Sequence, residues 1–398
     1  MVPDVRSALL MFREAGPMHK IQQIFDFAYH DFCLHFQPSD IQAKAAHAIM
    51  DCKSGKLGCN VDTCEECGYM QTHNNSCRNR SCPSCQAVLK ELWIDARKAE
   101  VIDAPYFHLV FTVPAELNPL IYANQKLLYG LLHDCSARTI LSLASDRKYL
   151  GGTPGIIQVL HSGGQELNLH PHIHAIVSGA GLSKAGQLVS CSPHFFIPES
   201  VLGSKFRGMF LDSLHQLYTA GKLLLPDSCS RLNNSYEWQE FKDSLYRKTW
   251  VPHAKETFNG FGNAIDYLGR YVHRIAISNS RILSVTETET TFTARDYKTG
   301  ERKTVTLTNT EFLRRFLMHV LPSGFHKIRY YGFLNNRGKR KNLKIIFKIQ
   351  GKQMFRSLYS GMKTEELLLA LWDINIRICP CCGREGLRHS GRTYAMRN

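Results

Sequence analysis

Three histidines in alternate positions are the most specific chemical feature of the sequence. Side chains of a β-strand point alternately to its two faces, so a strand here would place the imidazoles on one face and apolar side chains on the other. The imidazoles belong to His170, His172 and His174, and the apolar side chains to Ile173, Ala175 and Val177. Two imidazoles two residues apart on a strand converge on one divalent ion, and imidazole binds many such ions. The pattern predicts a metal site on a strand whose other face is buried.

A metal site with room for a substrate needs a third ligand from another segment. Gln165 and His161 lie just upstream, on the connection from a strand predicted at residues 155–160. Either side chain could reach the histidine pair. We take Gln165 as the third ligand and keep His161 as the alternative.

Tyrosines and arginines form the second chemical pattern, in a helix predicted at residues 264–274. At about 100° per residue, two tyrosines and two arginines fall in one sector of this helix, and aliphatic residues fall in the neighbouring sector. The first sector contains Tyr267, Arg270, Tyr271 and Arg274, and the second contains Ile265, Leu268 and Val272. We expect the aliphatic sector to pack on the protein and the tyrosines and arginines to face a cleft. Guanidinium groups suit phosphate, and an activated phenol is a nucleophile.

Together the two patterns describe a reaction on DNA. A divalent ion on the histidine pair would polarise a scissile phosphate, and a tyrosine would attack the phosphorus in line. The products are a free 3′-hydroxyl and a 5′-phosphotyrosine, which conserves the bond energy for rejoining, so no nucleotide cofactor is needed. A single strand is the expected substrate, because a duplex would not thread its backbone between helix and sheet as easily.

The cysteine spacing predicts a zinc site near the N-terminus. Cys64 and Cys67 form one Cys-x-x-Cys pair, and Cys82 and Cys85 form another, at a spacing that suits one tetrahedral four-thiolate site. The segment between them has too few aliphatic residues to fold without metal.

Further cysteines leave the ligand set open. Cys77 could replace one ligand, and Cys52, Cys59 and His73 could complete a second site. Three further cysteines lie near the C-terminus, at Cys379, Cys381 and Cys382. Apart from His389, the residues that follow them offer no obvious ligands to complete a metal site.

Composition and charge narrow the class of protein and its partners. Hydrophobic residues make up 44% of the 398 residues and charged residues 21%, which is typical of a globular protein and excludes disordered and collagen-like classes. The 49 lysines and arginines exceed the 34 acidic residues, and this excess favours a polyanionic partner such as nucleic acid. The sequence contains neither a long apolar span nor a signal-peptide pattern. We therefore expect a cytoplasmic protein that associates with the nucleoid when it binds DNA and has no membrane partner.

Residues 326–348 form a strongly basic segment with no acidic residue. Tyr330, Tyr331 and Phe333 interleave with its cations, and aromatic rings among cations suit a nucleic-acid strand. A solvated basic loop is the alternative interpretation. The residues expected to contact DNA are Arg270, Arg274, Lys327, Arg329, Arg337, Lys339, Arg340 and Lys341.

Four motifs, in their order along the chain, resemble those of the two-tyrosine HUH transposases of rolling-circle insertion sequences, the IS-ninety-one type. The motifs are SCRNRSCPSC, HSGGQELNLHPHIHAIV, YLGRYVHR and FLMHVLPSGFHKIRYYGFL, and the resemblance covers roughly residues 15–335. It implies a central antiparallel sheet, magnesium or manganese at the site, and transposition of single-stranded DNA. It also implies His172 and His174 as metal ligands and Tyr267 and Tyr271 as nucleophiles. Ser81 departs from the family pattern, which commonly has a histidine there, and residues 162–164 lack its usual tryptophan.

The sequence thus predicts an α+β protein of the HUH endonuclease type. We expect a helical, zinc-binding domain at residues 1–98, a catalytic domain with helices on an antiparallel sheet at 99–335, and a basic extension at 336–398. The predicted function is metal-dependent cleavage and rejoining of single-stranded DNA at the ends of a mobile element. The alternatives are an HUH replication initiator or relaxase, and a zinc-dependent DNA-binding protein without nuclease activity. The sequence defines neither the oligomeric state nor the DNA sequence recognised.

Overall fold

The computed structural model describes residues 20–191, 197–250, 252–256, 265–266, 268–269, 272, 276–296, 299–353 and 357–394. Its helices are α1 (Lys20–His35), α2 (Asp40–Asp51), α3 (Ala87–Lys98), α4 (Asn118–Ala123), α5 (Gln125–Ala144), α6 (Glu199–Thr219), α7 (Ser235–Arg247), α8 (Asn309–Leu317), α9 (Lys339–Ile349) and α10 (Thr364–Trp372). Its strands are β1 (Cys59–Cys64), β2 (Met70–Asn74), β3 (Tyr106–Thr112), β4 (Thr153–Gly163), β5 (Leu169–Leu182), β6 (Leu188–Ser190), β7 (His253–Glu256), β8 (Ile282–Val285), β9 (Glu289–Arg295), β10 (Arg302–Thr308), β11 (Ile328–Gly332) and β12 (Leu387–Arg392).

A six-stranded antiparallel sheet forms the centre of the molecule. Its strands lie in the order β11-β4-β5-β3-β7, and β6 pairs with the far end of β5. The strand predicted at residues 155–160 corresponds to β4, and the strand predicted to carry the three histidines corresponds to β5. The predicted α+β class, with a central antiparallel sheet and flanking helices, is confirmed.

Helices cover both faces of this sheet. On one face, Phe111, Ile173 and Ala175 are fully buried against α5 and α6, in a core that also contains Phe206. On the other face, Ile157, Val159 and Ile176 pack against α3, α9 and the helical residues near 268. Because both faces are covered, β5 is buried along almost its whole length.

A second core lies beside the sheet and joins the N-terminal helices to a later part of the chain. It packs α1 and α2 against the three-stranded sheet β8–β10 and α8. Helix α2 begins with a capping box, in which the backbone N–H of Ser39 donates to the side chain of Gln42 at 2.9 Å. Leu167, from the turn between β4 and β5, is buried in this second core and so ties it to the central sheet.

The C-terminal segment returns to the N-terminal hairpin. Strand β12 pairs with β1, which also pairs with β2, so residues 387–392 complete a sheet that begins at residue 59. The domain boundaries at residues 98 and 335 stay a prediction, but the segments that they separate contact each other. Among the described helices, none combines the length and apolar character needed to cross a membrane.

Candidate metal centre and adjoining cleft

Three histidines meet on one face of the central sheet. In the antiparallel register of β4 and β5, His161 lies directly opposite His172, and His174 lies two residues further along β5. Directly opposed residues share a face, as do residues two apart on one strand, so all three imidazoles project to the same side. Their nitrogen atoms lie within 4.8 Å of one another. The predicted alternation along β5 is confirmed, because Ile173, Ala175 and Val177 point into the core on the other face.

Hydrogen bonds orient two of these rings. The Nδ1 atom of His172 donates to the backbone carbonyl of His170 at 2.7 Å, which leaves the Nε2 lone pair available. The Nδ1 atom of His174 lies 3.0 Å from Nε2 of His108, a residue of β3 whose ring stacks on that of His174. The Nε2 atoms of His172 and His174 face each other at 3.1 Å. Metal-bound histidines commonly use their second ring nitrogen in this way to fix the ring and its tautomer.

Burial lowers the pKa values of His172 and His174 and so keeps these two residues neutral at physiological pH. Removal from water lowers the pKa of His172 to about 4, and the neighbouring His170, His108 and Lys327 further disfavour a positive charge on its ring. Burial, together with the neighbouring His172, His108 and Lys327, holds the pKa of His174 well below its ordinary value. Neutral imidazole is the form that binds a metal ion, so His172 and His174 can bind one without first losing a proton.

The structure distinguishes the two candidates for a third ligand by their positions. His161 is a buried residue of β4 within the histidine cluster. Gln165 lies in the exposed turn after β4, where its backbone carbonyl accepts a hydrogen bond from Arg281. His161 therefore replaces Gln165 as our candidate for the third ligand.

The turn that joins β4 to β5 is fixed by side chains from elsewhere in the chain. His319, which follows α8, accepts a hydrogen bond from the Ser162 hydroxyl at 3.0 Å and donates to the carbonyl of Leu167 at 3.1 Å. Arg315 donates to the carbonyl of Glu166. Burial lowers the pKa of His319 to about 4, so its neutral tautomer can serve both partners at once. Sequence reasoning missed His319 and His108, since an isolated histidine gives no periodic signal.

A cleft opens next to His161. Its wall contains His161 and Ser162 from β4, Lys327 from the start of the basic segment, and Arg80 from the cysteine-rich segment. Val272 closes another side. The Arg80 guanidinium donates to three backbone carbonyls, those of Leu321, Pro322 and Phe325. The cleft thus lies where the cysteine-rich segment, the central sheet and the predicted tyrosine helix adjoin.

The described residues of the predicted tyrosine helix, 265–266, 268–269 and 272, are helical. Their aliphatic members Ile265, Leu268 and Val272 are buried, as predicted. Tyr267, Arg270, Tyr271 and Arg274 lie outside the described residues. Gly269 packs directly on Ile94 of α3, because a Cβ atom at this glycine would lie 2.5 Å from the Ile94 Cδ1 atom. Asp266 forms an ion pair with Lys98 of α3 at 2.8 Å.

The predicted single zinc site is wrong in its ligand set. Its four cysteines belong to two separate four-thiolate clusters, one with Cys82 and Cys85 and the other with Cys64 and Cys67. Each pair instead combines with cysteines outside the two predicted motifs. The first cluster contains Cys52, Cys77, Cys82 and Cys85, and the second contains Cys64, Cys67, Cys379 and Cys382. The β1–β2 hairpin separates the two Cys-x-x-Cys pairs in space, although their sequence spacing suits one ion.

The predicted DNA-contacting cations occupy different environments. Lys327 lies at the cleft, whereas Arg329 pairs with Asp134 at 3.1 Å and Lys339 pairs with Glu100 at 2.5 Å. The remaining described cations line a groove along α9. These cations are Arg337, Arg340 and Lys341, and the groove also includes Lys344 and Lys348 of the basic segment.

The interleaved aromatic residues have structural roles. The Tyr330 hydroxyl accepts hydrogen bonds from Trp93 and Arg97 of α3, and the Tyr331 hydroxyl donates to Asp134. Phe333 is buried in the core beneath α9. The basic segment therefore offers cations on its surface, while these three rings hold β11 in place.

The contact between Gly269 and Ile94 can be tested by a double-mutant cycle. Gly269→Ala should lower the free energy of unfolding, since overpacking costs about 1–3 kcal/mol and exceeds the roughly 1 kcal/mol that alanine gains over glycine in a helix. In an Ile94→Ala background, the same change should raise the free energy of unfolding, because the added methyl fills the vacated space. Denaturant unfolding of the four proteins measures both effects. An equal effect of Gly269→Ala in the two backgrounds would contradict this packing.

Comparison with known proteins places the chain in a family. The family described as "Putative transposase" matches residues 155–342, which contain the histidine cluster and the predicted tyrosine helix. The family described as "Transposase zinc-binding domain" matches residues 24–113, which contain most of α1, all of α2 and the first cysteine cluster.

Alignments with two curated relatives cover most of the length of each relative. The chain is 41% identical over 311 residues to the "Putative transposase y4qJ" of Sinorhizobium fredii, covering 78% of each chain. It is 31% identical over 302 residues to the "Transposase for insertion sequence element IS801" of Pseudomonas savastanoi pv. phaseolicola, covering 75% of this chain and 71% of the relative.

A solved structure, the conjugative relaxase TrwC with oriT DNA in its metal-bound form, aligns with a TM-score of 0.23 at 13% identity, covering 59% of this chain and 95% of the relaxase chain. That similarity is too weak to carry an argument. The family matches and the two relatives agree with each other and with the resemblance in the sequence motifs, and the chain belongs to the insertion-sequence transposases of the IS-ninety-one type, with their zinc-binding domain.

Proposed function

We propose that this transposase cleaves and rejoins single-stranded DNA at the ends of its element through a 5′-phosphotyrosine. The observation that carries the proposal is the convergence of two chemical patterns on one cleft. His161 of the histidine cluster and Val272, the residue after Tyr271, both line it. This shared lining supports a common place for the predicted nucleophiles and the predicted metal site.

The histidine cluster fits a divalent ion. Its three imidazoles are buried, two of them have strongly lowered pKa values, and the Nδ1 atom of His172 is already engaged. We assign His161, His172 and His174 as the ligands. A divalent ion held there would supply positive charge that polarises a bound phosphate. Because magnesium prefers oxygen ligands and imidazole suits transition metals, this ligand set favours manganese over magnesium.

The tyrosines carry the covalent step. The phenolic oxygen of Tyr267 or Tyr271 attacks the scissile phosphorus, and the bond between phosphorus and the 3′-oxygen breaks. The phenol loses its proton, the departing 3′-oxygen gains one, and the 5′-phosphate stays on the tyrosine. Attack by a 3′-hydroxyl reverses the step and joins the strands. Two tyrosines suit a process with two cleavages and two joinings.

The groove along α9 supplies a track for the DNA backbone. Arg340, Lys344 and Lys348 are exposed and recur every four residues, so they share one face of α9. The adjoining apolar face, with Leu343, Ile346 and Phe347, is buried in the core. Because none of these three cations has an ion pair within the described residues, they remain available for phosphate.

Tyrosine substitutions test the covalent step. Tyr267→Phe and Tyr271→Phe should each leave some covalent adduct with single-stranded DNA from the element ends, while the double variant should leave none. The phenolic oxygen is the only group lost, so the fold should be unaffected. Incubation with end-labelled strands and manganese, followed by denaturing electrophoresis, measures the adduct.

Tyr236→Phe is the matched control for this experiment, because Tyr236 is an exposed tyrosine of α7 whose hydroxyl donates to Glu240 on the same helix. It should form the adduct like the parent. An adduct from the double variant would place the nucleophile elsewhere. Loss of all adduct in one single variant would favour a one-tyrosine mechanism of the replication-initiator or relaxase kind.

Charge removal tests the α9 groove. Replacing Arg340, Lys344 and Lys348 with glutamine should reduce the salt dependence of single-strand binding by about 2 in the slope of log K against log salt, since each phosphate contact contributes about 0.7. Fluorescence anisotropy at several salt concentrations measures the slope.

A second triple variant controls for net charge. Lys126→Gln, Lys184→Gln and Lys222→Gln remove the same charge from exposed positions outside the groove. This variant should keep the slope of the parent. Equal slopes for both triple variants would assign the groove cations to solvated surface.

A further inference from the structure

We propose that Cys64, Cys67, Cys379 and Cys382 bind a second zinc ion, which fastens the C-terminal segment to the N-terminal hairpin. The match to the zinc-binding domain ends at residue 113, so it contains only the first two of these cysteines. The inference does not depend on the proposed reaction.

The spacing of the sulfur atoms suits one tetrahedral ion. Zinc binds thiolate sulfur at about 2.3 Å, which places the sulfurs of a tetrahedral site about 3.8 Å apart. The Sγ atoms of Cys64 and Cys382 are 3.8 Å apart, and those of Cys67 and Cys379 are 3.7 Å apart. Both contacts join one N-terminal and one C-terminal cysteine. Disulfide bonds require about 2.05 Å between sulfurs, so these are four separate thiols gathered around one point.

The two halves of the cluster have the same local structure. Residues 64–68 read Cys-Glu-Glu-Cys-Gly, and residues 379–383 read Cys-Pro-Cys-Cys-Gly. In each, the glycine N–H donates to the carbonyl of the first cysteine at 2.9 Å. The glycines have φ values of +72° at Gly68 and +70° at Gly383, a conformation that other residues rarely adopt. Each turn therefore presents its two cysteines from one side of a tight loop.

The surrounding sheet brings the two turns together. The first turn follows β1, the second precedes β12, and β1 pairs with β12. The N–H of Glu65 donates to the carbonyl of Gly386 at 2.9 Å, and Arg384 pairs with Glu66 at 3.1 Å. Backbone pairing thus sets the register at which the four sulfurs meet.

Apolar packing at this site is too small to hold the segment. The buried residues around it form a cluster of only Cys64, Cys379 and Leu387. Exposed ion pairs such as Arg384–Glu66 contribute roughly 0–1 kcal/mol. A structural metal supplies folding free energy where the apolar core is small, and four thiolates in a closed tetrahedral set suit zinc.

Zinc content tests the proposal, with Cys381 as the matched control. Cys381 is an exposed cysteine between the two C-terminal ligands and is absent from the cluster. Elemental analysis of the purified full chain should give two zinc ions per chain. Cys379→Ser should bind one, whereas Cys381→Ser should bind two. Cys82→Ser, in the other cluster, should also retain one.

Cys382→His keeps a zinc-binding group at the site and should retain two ions. If Cys379→Ser fails to fold, replacement of zinc by cobalt in the parent chain decides the question. The parent chain, with two tetrahedral four-thiolate sites, should then show twice the visible absorbance per chain of Cys82→Ser, which has one such site. One zinc per chain in the parent would overturn the proposal. So would two zinc ions in Cys379→Ser, an equal loss in Cys381→Ser, or iron in place of zinc.

Discussion

The pairing of β4 with β5 is the constraint on which the site depends. This register places His161 opposite His172 and puts His174 on the same face. A shift of one residue would turn the histidines of one strand into the opposite core, so the apolar side chains of β5 and the three imidazoles specify the same register. His319 and Leu167 then fix the turn between the strands, the first by hydrogen bonds and the second by burial in the neighbouring core. The position of the histidines therefore rests on two cores rather than on the sheet alone.

Metal-binding cysteines and tight helix packing set the other walls of the cleft. The first cysteine cluster lies in the segment that contributes Arg80, and Arg80 holds the chain just before β11 through three carbonyls. Helix α3 follows that segment and contacts Gly269 through Ile94. The C-terminal segment also reaches α3, where buried Asp95 accepts hydrogen bonds from Ser357 and Tyr359. Distant parts of the chain thus converge on α3, the helix against which the predicted tyrosine helix packs.

Local patterns in the sequence predicted the strands, the histidine face and the aliphatic side of the tyrosine helix, because each depends on a short period in residue type. Such local patterns do not indicate which distant segments pair in three dimensions. Cys64 and Cys67 have a partner pair more than three hundred residues away in sequence, which no spacing rule could supply. The sequence could not decide between His161 and Gln165 as the third ligand. The position of His161 depends on the β4–β5 register, and Gln165 lies in a turn whose conformation is fixed by Arg315 of α8 and by His319, which follows α8. Tyr330 and Tyr331 followed the pattern of a stacking surface, but their hydroxyls bond to neighbouring elements.

We propose that His161, His172 and His174 together hold a divalent ion beside the cleft. Anomalous X-ray diffraction from crystals soaked in manganese tests this proposal most directly, because the anomalous signal identifies the metal and its position independently of activity. We expect a manganese peak among the imidazole nitrogens of these three residues. A peak bound by His172, His174 and Gln165, with His161 outside its coordination sphere, would contradict the assignment, as would manganese that binds elsewhere and leaves the three histidines without an ion.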